Sequence, residues 1–282
     1  RVKGLNMCRI LALSKTNKDL LDVVLNSFVL SNEYDPYLER VSRGKHKSHD
    51  DGWGLVAAGL LKEQPVVAHH KSLEPIYYES SRRVISLFSK KISEYQPLYL
   101  VLHARKASAK EPYGIDYVHP FMRLTDNGAA WFVHNGGADK RALAEKLGVY
   151  PWIRVDSELL GHYVMDYVLT CAEGGENVDT CVVEAYSEAK NYVLSGSALN
   201  TVLLVLFKDS PYLYLTHWLR EPRDDNLKEY YTIVAYSGDG AVFAGSITIK
   251  EYLPGDMSGS VYALEEGIYR LKPEKLTKIA SL

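Results

Sequence analysis

Met7-Cys8-Arg9-Ile10-Leu11-Ala12-Leu13 is the stretch on which the reading of this chain turns. From Cys8 to Leu13 it is apolar except for Arg9, too short for a helix, and it reads as a buried strand. Cys8 stands at the head of that strand. Removal of everything before it would give one residue both a thiol and a free α-amine. The reference pKa of an α-amine is about 7.7–8.0, close to working pH and suited to general-base work. Nucleophile and base would then belong to the same residue.

Working outward, Thr16 and Asn17 offer an N-cap, and Leu20, Leu21, Val24, Leu25 and Phe28 follow at helical spacing. Asp35 to Asp51 is charged and polar and reads as a surface loop. Trp53–Leu61 and Val66–His70 read as strands, Ser80–Tyr95 as an amphipathic helix, and Leu98–Ala104 as a buried strand. Lys106 to Asn127 has no clear period and reads as a long functional loop. Trp131–His134 is a short strand running into the turn Asn135-Gly136-Gly137. Helical patterns follow at Lys140–Leu147, Ser157–Ala172 and Val178–Val193. Strands then return at Thr201–Lys208, Tyr212–Trp218, Thr232–Tyr236 and Ala241–Ile249, with a hairpin-like end. Strands at both ends with helices between them predict an α+β arrangement of packed sheets covered by helices. No linker or repeat divides the chain.

Composition narrows the function. The net charge of −2 supplies no field for nucleic acid or an anionic membrane. A hydrophobic content of 46% is ample for a core, but no apolar run approaches the ~18 residues needed to span a bilayer. No signal peptide is recognisable, so the expectation is a cytoplasmic protein. Cys171 and Cys181 flank a Gly-Gly turn, where a bridge is conceivable. In a mesophile's cytosol two free thiols are expected instead, and a hyperthermophile would reverse that.

Four other segments carry chemistry. His103-Ala104-Arg105 ends a buried strand in a guanidinium, the group best shaped to bind a carboxylate in bidentate fashion. In His134-Asn135-Gly136-Gly137, the Asn135 amide and the Gly136 N–H can form an oxyanion hole, although Asn-Gly is also a common tight turn. Val155-Asp156-Ser157-Glu158 opens a helix, so Asp156 is either an N-cap or a carboxylate for an amino acid's ammonium. His49-Asp50-Asp51-Gly52-Trp53-Gly54 and His119-Pro120-Phe121 bring histidines to loops. His46, His49, Asp50 and Asp51 lack metal-ligand spacing, and neither metal nor cofactor is expected.

The succession of a near-terminal Cys, DGWG, H-x-R, HPF, HNG and a DSE-opened helix, over Cys8 to Glu158, resembles the class II glutamine amidotransferases, in particular the stand-alone branch. The resemblance implies a four-layer αββα sandwich, the fold of the N-terminal-nucleophile hydrolases. It implies that residues 1–7 are a leader (an expression remnant, a misplaced start or a propeptide) and that residues 8–282 form a single glutamine amidotransferase type-2 domain. It implies that Cys8 attacks the side-chain amide of glutamine, forming a γ-glutamyl thioester and releasing ammonia. Asn135 and Gly136 would stabilise the oxyanion, Arg105 would hold the α-carboxylate and Asp156 the α-ammonium, with Ser108 and His119 in support. Lys106-Ala107-Ser108 departs from the pattern of synthase-fused members. Two alternatives stand beside a glutaminase that feeds a separate synthase subunit. One is a γ-glutamyl amide or peptide hydrolase of the same fold. The other is a non-catalytic binding protein, should Cys8 not be N-terminal.

Overall fold

The computed structural model describes residues 7–15, 19–108, 111–238 and 240–282. Thr16, Asn17 and most of the expected leader lie outside the described residues. Two antiparallel sheets organise the rest. The seven-stranded sheet runs in the order Tyr262–Ala263, Ile233–Gly238, Ala241–Ser246, Arg9–Lys15, Leu98–Ala104, Trp53–Leu61, Gln64–Ser72. The six-stranded sheet runs Lys275–Ala280, Gly267–Lys272, Ser210–His217, Asn200–Phe207, Gly128–Asn135, Phe121–Leu124.

The strand Arg9–Lys15 is buried along its whole length, and its two faces serve different cores. Ile10 and Ala12 join Val101, Trp131, Val133, Val202 and Leu204 in a core between the two sheets. Leu11 and Leu13 point the other way, toward Val24, Phe28 and Ile85 of the helices Asp19–Glu33 and Glu79–Ile92. That alternation is the period-two geometry of a strand covered on both sides. A third core joins Phe132, Leu203 and Val205 of the second sheet to the helices Lys140–Leu147, Asp156–Glu173 and Val178–Ala189. The arrangement is α+β. No helix among the described residues is long and apolar enough to cross a membrane.

Antiparallel register places the chemistry. Arg9 pairs with Ala104, and Ala104 pairs on its other side with Trp53. Cys8, one residue before a strand start, therefore neighbours Arg105, one residue after a strand end, and the DDGWG turn beyond it. Gly54 allows this end of the sheet to close: a Cβ there would lie 2.2 Å from the His119 carbonyl oxygen.

Several expectations are corrected. Asp35 to Asp51 is not all loop, because Pro36–Val41 forms a short helix capped by Asp35, whose carboxylate accepts the N–H groups of Tyr37 and Leu38. Six residues are too few to show a helical period. Lys106 to Asn127 contains the 3₁₀ turn Ile115–Tyr117 and the edge strand Phe121–Leu124. The last helix of the central set ends at Ala189, followed by the single turn Lys190–Tyr192. Cys171 and Cys181 are bonded to each other, with Cα atoms 5.8 Å apart, rather than free. The helices Asp156–Glu173 and Val178–Ala189 pack as a hairpin and bring the two thiols together.

Candidate active site

Cys8 is the free cysteine of the chain and is 5% exposed. It lines a small cavity with Arg105, Ser108, Glu111, His119 and Asp156. Five of the expected site residues therefore meet in one place: Cys8, Arg105, Ser108, His119 and Asp156. Asn135 reaches the same point from the second sheet, its Oδ1 accepting the Cys8 N–H at 3.2 Å. The cavity measures about 20 Å³, enough for a water. Through Glu111 and Tyr117 it adjoins an outer groove of about 610 Å³ walled by Tyr150, Trp152 and Lys140.

Burial pushes the Cys8 thiol up to about 11, outweighing the opposing pull of a backbone hydrogen bond from Lys106 and of the Arg105 charge. At neutral pH it is a thiol and not a thiolate, so any attack needs a base within reach.

Arg105 extends from the strand Leu98–Ala104, its backbone N–H tied to the Gly52 carbonyl at 2.8 Å. Its Nη2 donates to the Pro112 carbonyl at 3.1 Å. Its Nη1 is buried and has no hydrogen-bond partner among the described residues. A buried guanidinium with an idle donor is costly unless a ligand completes it. Lys106 behaves differently: it pairs with Asp50 and, at 3.7 Å, with Asp51, whose carboxylate also accepts the Ala107 N–H at 2.8 Å. The two aspartates of the DDGWG turn thus fasten the segment that follows Arg105.

The turn after the strand Gly128–Asn135 is shaped by sterics. A Cβ on Gly136 would lie 1.9 Å from the Ala198 carbonyl oxygen, so only glycine fits. His134 anchors the turn, with Nδ1 3.0 Å from Ser157 Oγ and Nε2 3.1 Å from the Ala198 carbonyl. Asn135 spends its Oδ1 on Cys8 and leaves Nδ2 buried without a partner among the described residues. A donor with no acceptor, at the cysteine, is available to an oxyanion.

Asp156 is the first residue of its helix and not the N-cap, which is Val155. Its Oδ2 accepts the Ala138 N–H at 2.9 Å and its Oδ1 the Ser157 N–H at 2.7 Å. Burial raises its pKa against those hydrogen bonds. His119 stacks on His103 with ring centroids 3.9 Å apart, and neither of its ring nitrogens has a partner among the described residues. Burial drives its pKa far down, so it is a neutral wall of the cavity.

Sequence reading missed a second layer behind Cys8. Arg9 Nε contacts Asp35 Oδ2 at 2.6 Å, and its guanidinium lies 4.0 Å from the Tyr230 ring centroid. His49 bridges Asp35 to the Met7 carbonyl, with Nε2 2.8 Å from Asp35 Oδ2 and Nδ1 2.9 Å from Met7 O. Burial would raise the Asp35 carboxyl, yet Arg9 and His49 hold it well below the carboxylate range. The Tyr230 hydroxyl donates to the Cys8 carbonyl at 3.3 Å. The signal for this layer was Arg9 itself, a charge inside an apolar strand that must find a buried counter-charge.

No protein-family model matches the sequence, and no curated protein matches it. Among solved structures, the chain is similar to one described as the allosteric regulatory enzyme of purine biosynthesis. The TM-score is 0.57 at 14% identity, over 97% of this chain and 49% of that one. At such identity the likeness establishes a common fold, and this chain spans about half the length of that enzyme. The chain is also similar to a predicted glutamine amidotransferase from Pseudomonas aeruginosa PA01, with a TM-score of 0.45, 13% identity and 97% of each chain covered.

Proposed function

We propose that this chain is a glutamine amidohydrolase of the class II amidotransferase type, with Cys8 as its N-terminal nucleophile once residues 1–7 are removed. One observation carries the proposal: Arg105, whose buried Nη1 is idle among the described residues, lines the same cavity as Cys8 and Asp156. A cation, an anion and a nucleophile around one cavity match the charges of an α-amino acid bearing a reactive side-chain amide, and the cavity of about 20 Å³ has to widen toward the outer groove to admit one. The fold shared with an enzyme of purine biosynthesis is compatible with this, and we read the two sheets and their helices as the αββα sandwich of the N-terminal-nucleophile hydrolases.

In this mechanism Arg105 takes the α-carboxylate and Asp156 the α-ammonium. The Cys8 α-amine accepts the thiol proton, directly or through a water, and Sγ adds to the amide carbon. The oxyanion is met by Asn135 Nδ2 and the Gly136 N–H. The amine returns the proton to the leaving nitrogen, the C–N bond breaks, and ammonia departs from a γ-glutamyl thioester. Water then hydrolyses the thioester to glutamate and restores the thiol. Burial raises the thiol pKa in the uncleaved chain, and the amine freed at Cys8 supplies the base that such a thiol needs. The ammonia would pass to a separate synthase subunit or to solvent.

A second reading is favoured by the outer groove of about 610 Å³, which shares Glu111 and Tyr117 with the Cys8 cavity. A γ-glutamyl amide or peptide hydrolase would keep Arg105 and Asp156 and place the rest of a larger substrate in that groove. The test is intact mass paired with glutamate release from glutamine and from γ-glutamyl dipeptides, on chains that begin at Cys8 and chains that retain residues 1–7. Turnover confined to the Cys8-initiated chain supports the proposal. Preference for dipeptides selects the second reading, and silence on both substrates refutes both.

A further inference from the structure

The peptide bond between Met7 and Cys8 is held from two sides. Its N–H donates to Asn135 Oδ1 at 3.2 Å, and its carbonyl oxygen lies 2.9 Å from His49 Nδ1. Behind the imidazole stands a fully buried ion pair. His49 Nε2 meets Asp35 Oδ2 at 2.8 Å, and Arg9 Nε meets the same oxygen at 2.6 Å. Asp35 is fixed in turn by the Tyr37 and Leu38 N–H groups and by the Thr248 hydroxyl at 3.0 Å. Three ionisable side chains buried this deeply are expensive to desolvate. The network ends, through His49 Nδ1, on the atoms flanking the Cys8 nitrogen.

We propose that His49 is a positioning residue for the Cys8 α-amine, a reading that rests on Cys8 acting as the N-terminal nucleophile. A neutral α-amine has two N–H bonds and one lone pair. The carbonyl oxygen and the nitrogen of a peptide share one carbon and lie only about 2.2 Å apart. His49 Nδ1, 2.9 Å from that oxygen, is therefore at most about 5.1 Å from the amine that cleavage leaves behind, within reach of a single bridging water. Asn135 Oδ1 accepts one N–H and His49 Nδ1 the other. The lone pair is left for the thiol proton, the orientation a base needs.

Asp35 sets the tautomer. A carboxylate at Nε2 calls for a proton on that nitrogen, which makes Nδ1 of a neutral ring the acceptor. In the intact chain both ring nitrogens face acceptors, and only an imidazolium satisfies the two. Loss of the Met7 carbonyl removes that demand, and burial, which lowers the pKa of His49, then favours the neutral ring. The other ionisable groups facing this place are Arg9 and Asp35 behind the ring, His103 from the strand Leu98–Ala104, Tyr230 and Tyr231 from the helix Asp225–Tyr231, and Arg105, Asp51 and Asp156 around the thiol.

The test uses chains verified by mass to begin at Cys8: the parent, Cys8→Ala, His49→Gln and His49→Asn. Glutamine at 49 places its amide where Nε2 stood, keeping a donor for Asp35 but nothing at the amine. Asparagine places its amide where Nδ1 stood. The readouts are kcat and KM for glutamine and γ-glutamyl-p-nitroanilide across pH, melting temperature, and titration of the Cys8 amine by ¹⁵N NMR. His49→Gln is expected to lower kcat about tenfold or more with KM unchanged. Its acid limb moves to lower pH, because the ammonium has lost an acceptor. His49→Asn recovers most of the rate.

Parental kcat and pH profile in His49→Gln would overturn the proposal. So would equal losses in both variants accompanied by a lower melting temperature, since those assign His49 a purely structural role. Activity in Cys8→Ala, or none in the parent, defeats the nucleophile reading instead. In that case the amine titration still decides: a shift in His49→Gln upholds the contact, and an unchanged titration removes it.

Discussion

Asn135→Asp separates the two tasks of one side chain. In the parent, Oδ1 accepts the Cys8 N–H at 3.2 Å while Nδ2 is buried with no partner among the described residues. Aspartate retains the acceptor, so the contact to Cys8 survives, and it replaces the idle donor by a second acceptor. Nothing in the ground state is lost, because that donor has nothing to hold until the oxyanion forms. Deleting one oxyanion-hole donor costs about 2.7–4 kcal/mol, or about 10²–10³ in kcat. A carboxylate facing a developing negative charge adds to the loss, so that range is a lower bound. Steady-state kinetics on the Cys8-initiated chain, with the melting temperature as a control on folding, give the answer. A fall of about 10² or more in kcat with KM little changed is expected. A variant that folds and keeps kcat within about tenfold would refute the role of Nδ2 as an oxyanion donor.

Arg105→Lys keeps the charge but loses the fork that anchors Nη2 on Pro112 O while leaving Nη1 idle. KM should rise by about 10-fold or more, the worth of a charged hydrogen bond, with kcat less affected; an unchanged KM removes Arg105 from the site. Stability should fall early on acidification. Burial holds His134 and His217 at about 4 in the folded chain, whereas the unfolded chain binds those protons from about 6.5. Their contribution is complete above about 6.5 and is lost as pH drops toward 4, followed at lower pH by that of Asp35, whose folded pKa is depressed. A melting temperature that stays flat across the histidine window would show that these rings are accessible to protons in the native state.

Much of this was legible in the sequence because it is local. Leu98–Ala104 and Lys140–Leu147 carry their period and boundaries in consecutive residues, and the structure ends them where the pattern does. Cys8, Arg105, Asn135 and Asp156 were found as strand ends and a helix start. Antiparallel register turns such ends into neighbours. The second layer was not legible, because Asp35 opens a charged, polar stretch that reads as surface loop. Its partners Arg9, His49 and Tyr230 come from distant segments joined only by tertiary packing. The Cys171–Cys181 bridge was left open for a different reason: its spacing allowed a bond, and two free thiols were expected only on the premise of a mesophile's cytosol, which the sequence does not supply.

The account depends most on Cys8 as the covalent nucleophile of a glutamyl amide. The direct measurement is peptide mapping after treating the Cys8-initiated chain with a glutamine analogue bearing an electrophile at its γ-carbon. The account predicts one adduct, on the peptide containing Cys8, that forms in step with loss of activity and is slowed by glutamine. Turnover that continues with Cys8 unlabelled, or labelling of Cys8 that leaves activity intact, would contradict it.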